Sequence, residues 1–144
     1  MRTLRPMLLA SLLLAACQDA GGPGSPAAPI DPASAALAVR DGQGGTGPFQ
    51  VDGLEKVTVD VRLTHVAPGA HRLRLDVLAP GGTLYAQLPV SVEAGPDGQG
   101  VASQHLQVGG TPIERYRQTG AWSFRLAPAD GATPLATAEA ELAE

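Results

Sequence analysis

The chain has 144 residues, a formal net charge of −4 and a single cysteine, Cys17. An acidic chain with no basic run repels phosphate groups, so these numbers argue against a nucleic-acid-binding protein. One cysteine cannot form an intramolecular disulfide, so the hydrophobic core of a single domain has to hold the fold alone.

The amino terminus has the pattern of an export signal. Arg2 and Arg5 form a short basic start, and an apolar run from Met7 to Ala16 follows it. That run is too short to cross a bilayer as a permanent helix. We therefore predict a cleaved signal peptide over residues 1–16, and the loss of its two arginines leaves a mature chain with a net charge of about −6.

The signal closes on residues Leu14 to Cys17, which read LAAC and resemble the lipobox of bacterial lipoproteins. In that family the cysteine thiol receives a diacylglycerol, the signal is removed and the new amino terminus is acylated. The resemblance implies lipidation at Cys17 and a membrane partner reached through that lipid anchor. Because Gln18 rather than Asp follows the cysteine, it also implies the outer membrane. An ordinary secretory signal with an incidental cysteine is the alternative.

Residues 17–34 begin with Cys17 and continue in Gly, Pro and Ala without apolar periodicity. A segment of this composition cannot bury itself, and it predicts a disordered tether. The folded domain is therefore expected over residues 35–144.

After the tether, apolar and polar residues alternate, which is the pattern of half-buried β-strands. The run Lys56 to His65 has the clearest alternation, with Val57, Val59, Val61 and Leu63 on its dry face. We predict about seven strands in total, the number typical of an immunoglobulin-like sandwich. They cover residues 36–39, 56–65, 71–77, 84–92, 101–108, 120–127 and 134–142. A short helix over residues 134–142 stays open as an alternative because that stretch is rich in helix formers.

The connection at Pro68 and Gly69 constrains the topology. A two-residue hairpin there would put Val61 opposite Asp76, so the apolar face of one strand would lie beside the polar face of the other. Either the loop has an odd number of residues, or the chain crosses to a second sheet. In the third long run Pro89 takes the outward phase, which favours an edge strand.

The segment from Gly120 to Gly131 carries the dry-face residues Trp122, Phe124 and Leu126. It resembles the end of bacterial immunoglobulin-like and fibronectin type III-like modules, where Gly-x-Trp opens the penultimate strand. The resemblance implies an all-β, two-sheet immunoglobulin-like sandwich and carries no binding site with it.

Two patterns could indicate a ligand or metal site. Gly42, Gly44 and Gly47 spell G-x-G-x-x-G, but Pro48 follows and no helical period does, so a loop is the better interpretation. His65 and His71 flank the Pro68 turn on the inward phase and could share a metal in a small periplasmic hydrolase. A third ligand is missing, so we predict no catalytic residue, no metal and no cofactor.

The stretch Thr111 to Thr119 interrupts the alternation with bulky polar side chains. Arg and Tyr often dominate the binding energy of interfaces, so Arg115, Tyr116 and Arg117 are the candidate contact residues. In the alternative interpretation this stretch is a connector, with Ile113 and Tyr116 closing the core.

The sequence therefore predicts a membrane-anchored, non-enzymatic binding or scaffold module of the bacterial cell envelope, facing the periplasm or the surface, with an envelope protein as its partner. The alternatives are the hydrolase above and an inhibitor or pilot lipoprotein that escorts one partner.

Overall fold

The structure is a computed structural model, and it describes residues 29–144. The predicted signal peptide, the predicted lipidation site Cys17 and the first part of the predicted tether lie outside the described residues. Within residues 29–144, no helix is long and apolar enough to span a membrane.

The described residues form eight strands, a 3₁₀ turn (Pro32–Ser34) and one α-helical turn, α1 (Pro112–Arg115). The strands are β1 (Ala35–Asp41), β2 (Phe49–Gln50), β3 (Lys56–Leu63), β4 (Gly69–Leu78), β5 (Leu84–Ala94), β6 (Gly100–Gln107), β7 (Gly120–Pro128) and β8 (Ala136–Ala143). The predicted all-β sandwich is confirmed, and the segment over residues 134–142 is a strand. Residues 29–34, which we assigned to the tether, include Ile30, which packs against the core.

Two sheets face each other. The three-stranded sheet has the order β1-β3-β6, and the five-stranded sheet has the order β2-β8-β7-β4-β5. Their inner faces carry the alternating apolar residues, because burying those side chains contributes about 25 cal/mol for each Å² removed from water. The side chains with no exposed surface include Val61, Leu63, Leu75, Val77, Trp122, Phe124 and Leu126.

The chain crosses between the sheets after β3. β3 lies in the three-stranded sheet and β4 in the five-stranded one, so the parity argument from Val61 and Asp76 is confirmed. β5 is an edge strand, as Pro89 indicated, because a proline has no N–H to donate to a further strand.

Two details of the sheets differ from the prediction. The two-residue strand β2 pairs in parallel with the end of β8 and buries Phe49, and its brevity leaves no alternation to detect. The register of β4 and β5 shifts between Val77 and Leu78, so Leu84 is 51% exposed instead of inward. Instead of Leu84, the next residue Tyr85 packs edge-on against Trp122, with 5.2 Å between the ring centroids.

The strands run between two ends of the sandwich. Ala35 pairs with Leu63, so the chain enters β1 at the end formed by residues 29–34, 64–68, 95–99 and 129–135, which we name the entry pole. The loops of residues 42–55, 79–83 and 108–119 form the opposite end, the far pole. A strand advances about 3.3 Å per residue, so the seven residues of β1 separate the two poles by more than 20 Å.

Candidate functional site

The residues that sequence analysis selected lie in the loop between β6 and β7 at the far pole. Thr111 caps α1 by accepting a hydrogen bond from the Ile113 N–H at 3.3 Å, and Pro112 starts the turn. The Glu114 carboxylate accepts from the Gly110 N–H at 2.7 Å. Ile113 is fully buried, so it anchors the loop in the core. These local contacts give the loop a defined shape although it contains only one helical turn.

Trp122 binds the other end of this loop. Its indole Nε1 donates a hydrogen bond to the Gln118 carbonyl at 2.9 Å, while its ring system is fully buried. An indole N–H is a hydrogen-bond donor only, and it needs an acceptor when it is buried. One side chain thus fills the core and positions the loop.

Arg115, Tyr116 and Arg117 are all exposed, and we name them the far-pole patch. Tyr116 is 69% exposed, so the interpretation in which it closes the core is wrong, and Ile113 alone takes that place. Arg117 has a left-handed backbone with a φ of 48°, which turns the chain after α1. The patch therefore combines one accessible aromatic ring with two guanidinium groups on an anchored loop.

A cleft of about 670 Å³ opens at the same pole, lined by residues 41–43, 48–50 and 52–56. An Arg117 Nη2 to Asp52 Oδ2 contact of 3.5 Å connects the patch to this cleft, but both side chains are more than half exposed. The Asp41 carboxylate accepts from the N–H groups of Gln43 at 2.8 Å and Gly45 at 2.6 Å, so it serves the turn. Among residues 29–144, no group of three or more His, Cys, Asp or Glu side chains is placed to hold a metal ion.

The G-x-G-x-x-G pattern lies in the turn after β1. Gly44 and Gly47 both have a φ of 89°, and the short strand β2 follows instead of a helix. A dinucleotide-binding loop places its pyrophosphate at a helix amino terminus, and that feature is missing from this turn. Gly44 and Gly47 therefore provide the positive φ angles of this turn.

His65 and His71 do not form a joint site. His71 is inward as expected and 3% exposed, and its Nε2 lies 2.6 Å from the Ala67 carbonyl. His65 was expected inward but is exposed, because it leaves the strand with a φ of 55°. One imidazole is therefore enclosed in the core and bonded to the main chain, while the other faces solvent. This arrangement disfavours the metal-dependent hydrolase.

A polar network that the sequence did not reveal lies on the outer face of the three-stranded sheet. The Arg40 Nε donates to Asp60 Oδ2 at 2.5 Å, and the Ser103 hydroxyl donates to Asp60 Oδ1 at 2.5 Å. These residues meet only through the register of three strands, so no local pattern indicates them. Asp60 of β3 and Asp76 of β4 belong to different sheets, so these two carboxylates do not form a pair.

This network makes the stability depend on pH. The Arg40 guanidinium, with a smaller contribution from the Ser103 hydroxyl, lowers the pKa of Asp60 below its usual range. The stabilisation is therefore present above the pKa that aspartate has in the unfolded chain, about 3.9, and is lost as the pH falls through the lower folded value. We expect Asp60→Asn to reduce stability slightly at neutral pH and to flatten its decline below pH ~4. Thermal unfolding at several pH values tests this, and an unchanged acid slope would contradict it.

Comparisons with known proteins give no family assignment. No family model matches the chain, and no curated protein matches it. A structural search finds similarity to the CARDB domain of the PF1109 protein from Pyrococcus furiosus, which was crystallised in complex with di-metal ions. The identity is 18%, the alignment covers 76% of this chain and 87% of that chain, and the TM-score is 0.41. At this similarity the metal ions are a property of that protein alone, and the fold assignment depends on the strand order given above.

Proposed function

We propose that this chain is a lipid-anchored, non-enzymatic binding module of the bacterial cell envelope, and that its far pole contacts an envelope protein. The observation that carries the proposal is the exposed far-pole patch, held on a loop whose Ile113 is buried and whose Gln118 carbonyl is bound by Trp122. An anchored loop loses little conformational entropy on binding, which favours affinity.

The end at which the chain enters the domain supports a far pole that faces away from the membrane. Ala35 starts β1 at the entry pole, so a tether that leads back to Cys17 attaches there. The far pole then points away from the lipid surface. A tether extends by up to about 3.3 Å per residue, so the far pole can reach a partner well away from the lipid surface.

The distribution of exposed apolar side chains supports the same pole. The described residues include four exposed large hydrophobic side chains, and three of them, Leu84, Tyr85 and Tyr116, belong to the far pole or to the strand end beside it. Val101 is the fourth and is the second residue of β6, near the entry pole. Aromatic rings next to arginines are enriched where protein interfaces have their strongest contacts.

The lipid anchor is tested at Cys17. We expect Cys17→Ser to move the chain from the membrane fraction to the soluble fraction, since two or more acyl chains hold a protein on a bilayer almost permanently. Mass spectrometry of the native chain should show acyl groups on residue 17, and Cys17→Ala should behave as Cys17→Ser does. A free thiol on a chain that stays membrane-bound would contradict the lipidation.

The far-pole patch is tested by photo-crosslinking in intact cells. A photoreactive residue at position 116 should capture one envelope protein, and Arg115→Ala with Arg117→Ala should reduce that capture about tenfold or more. The control position is Arg74, whose guanidinium is bonded to Asp76 at 2.8 Å on the outer face of the five-stranded sheet. Capture from position 74 but not from 116 would show that the partner uses another surface. An inhibitor or pilot would bind in a fixed stoichiometry, which the mass of the captured complex reports.

A further inference from the structure

The strand β1 has a hydrogen-bonded neighbour on one side only, because the order of its sheet is β1-β3-β6. β8 of the facing sheet lies close to β1 but makes no ladder with it. In an antiparallel pair, residues alternate between those whose main-chain groups point toward the partner and those whose groups point away. Ser34, just before β1, accepts a hydrogen bond from the Thr64 N–H at 2.8 Å, so the even-numbered residues face β3. Asp41 bonds instead to the turn after it, with its N–H donating to the Gly45 carbonyl at 2.9 Å. Both ends of β1 therefore indicate that Ala35, Leu37 and Val39 direct their main-chain groups to the open edge.

The open edge is bounded at both ends. The N–H of Ala35 is satisfied by the Pro32 carbonyl, and both main-chain groups of Asp41 are satisfied by the turn over residues 42–45. Between these limits, the carbonyl of Ala35 and the N–H and carbonyl groups of Leu37 and Val39 have no main-chain partner within residues 29–144. The edge is thus a window of five residues centred on Leu37.

Protein sheets commonly protect an open edge with a proline, a lysine, an inward charge or a very short strand. Both edge strands of the five-stranded sheet have such protection, and at the other edge of the three-stranded sheet the Gln104 side chain of β6 bonds to β5. β5 carries Pro89, whose carbonyl accepts from the Gln104 side chain of β6, and β2 is two residues long. Residues 35–39 of β1 read AALAV, with no charge and no proline. The inward Leu37 and Val39 are also only partly buried, unlike the inward residues of β3.

We propose that two copies of this chain pair through β1, antiparallel and centred on Leu37, so that their three-stranded sheets join into one sheet of six. This goes beyond the proposed function and does not depend on the far-pole patch. The two Leu37 residues exchange a pair of hydrogen bonds, and each Val39 N–H donates to the Ala35 carbonyl of the other copy. Every free N–H group of the window then has an acceptor.

The side chains favour a second copy as the occupant of this edge. In the centred register Leu37 meets Leu37 and Ala35 meets Val39 on the inner face, while Ala36 meets Ala38 on the outer face. No charge opposes a like charge, and Arg40 and Asp41 lie beyond the paired window. A symmetric pair also uses the whole window, whereas a shifted register would leave N–H groups unpaired. The pairing is isologous and closed, which stops assembly at the dimer.

The register is tested by disulfide formation in the full chain with Cys17→Ser as background. Across a non-hydrogen-bonded antiparallel pair the Cα atoms are about 4.5 Å apart, close enough for a disulfide. A mixture of the Ala36→Cys and Ala38→Cys variants should crosslink under mild oxidation much faster than either variant alone. As a control, Ala36→Cys mixed with Val101→Cys, on the outer face of β6, should crosslink slowly. Equal rates in the specific and control mixtures, or rapid crosslinking of one variant alone, would overturn the centred register.

Assembly itself is tested by sedimentation of the chain with Cys17→Ser at high concentration, because an edge of five residues buries little area and binds weakly in solution. We expect a dimer population that Ala36→Lys with Ala38→Lys abolishes, since lysines then oppose each other across the pair. Both positions are exposed, so these variants should stay folded by circular dichroism. Val101→Lys should leave the dimer unchanged. A monomer at all concentrations, or a dimer that survives the paired lysines, would overturn the proposal.

Discussion

Val61→Asp is expected to leave the domain unfolded or nearly so. Val61 has no exposed surface, and its strand position lies between Leu37 of β1 and Ala102 of β6 on the inner face. A carboxylate at this position would be buried among apolar side chains without a partner, which costs several kcal/mol. Domains of this size have a total stability of about 5–15 kcal/mol, so a single buried charge removes most of it. Circular dichroism and thermal unfolding of the purified variant give the result.

The neighbouring position provides a matched control. Arg62 follows Val61 in the same strand but is exposed on the outer face. Arg62→Asp introduces the same side chain one residue away and is expected to change stability by about 0.5 kcal/mol or less. A second inward position, Val59→Asp, should repeat the effect of Val61→Asp. A soluble, cooperatively folding Val61→Asp chain would contradict the strand phase and the sandwich built from it.

Local alternation is the reason that so much of this fold could be predicted. The inward residues of β3, β4 and β7 follow from a period of two, which needs no information from the rest of the chain. The crossing after β3 also followed from local parity, because Val61 and Asp76 could not face each other in a hairpin. Trp122, Phe124 and Leu126 belong to one such run, and all three are fully buried.

The features that could not be predicted depend on contacts between distant residues. The bulge that exposes Leu84 and turns Tyr85 toward Trp122 arises from the register of β4 and β5. The pairing of Asp60 with Arg40 depends on two strand registers, and His65 leaves the inward phase because its backbone turns left-handed. Sequence patterns located the far-pole patch, but its position opposite the chain entry is a property of the topology alone.

Trp122→Ala is expected to have the second largest effect, and to weaken the far-pole patch together with the core. Removing a fully buried large aromatic side chain typically costs about 3–5 kcal/mol, part of it from the cavity left behind. The Gln118 carbonyl also loses its indole donor, worth about 1 kcal/mol. We therefore expect a large fall in the midpoint of chemical unfolding and, under conditions where the variant still folds, faster amide exchange in the loop of residues 108–119.

Trp122→Phe separates the two roles of this side chain. Phenylalanine keeps an aromatic ring in the core beside Tyr85 but has no N–H for Gln118, so it should recover much of the stability while the loop continues to exchange fast. Tyr116→Ala is the complementary control: its side chain is 69% exposed, so stability should change by about 0.5 kcal/mol or less while affinity for the captured partner falls. If Trp122→Phe restored the exchange protection of the loop, the indole hydrogen bond would not be what positions the patch, and packing against the core would have to account for it.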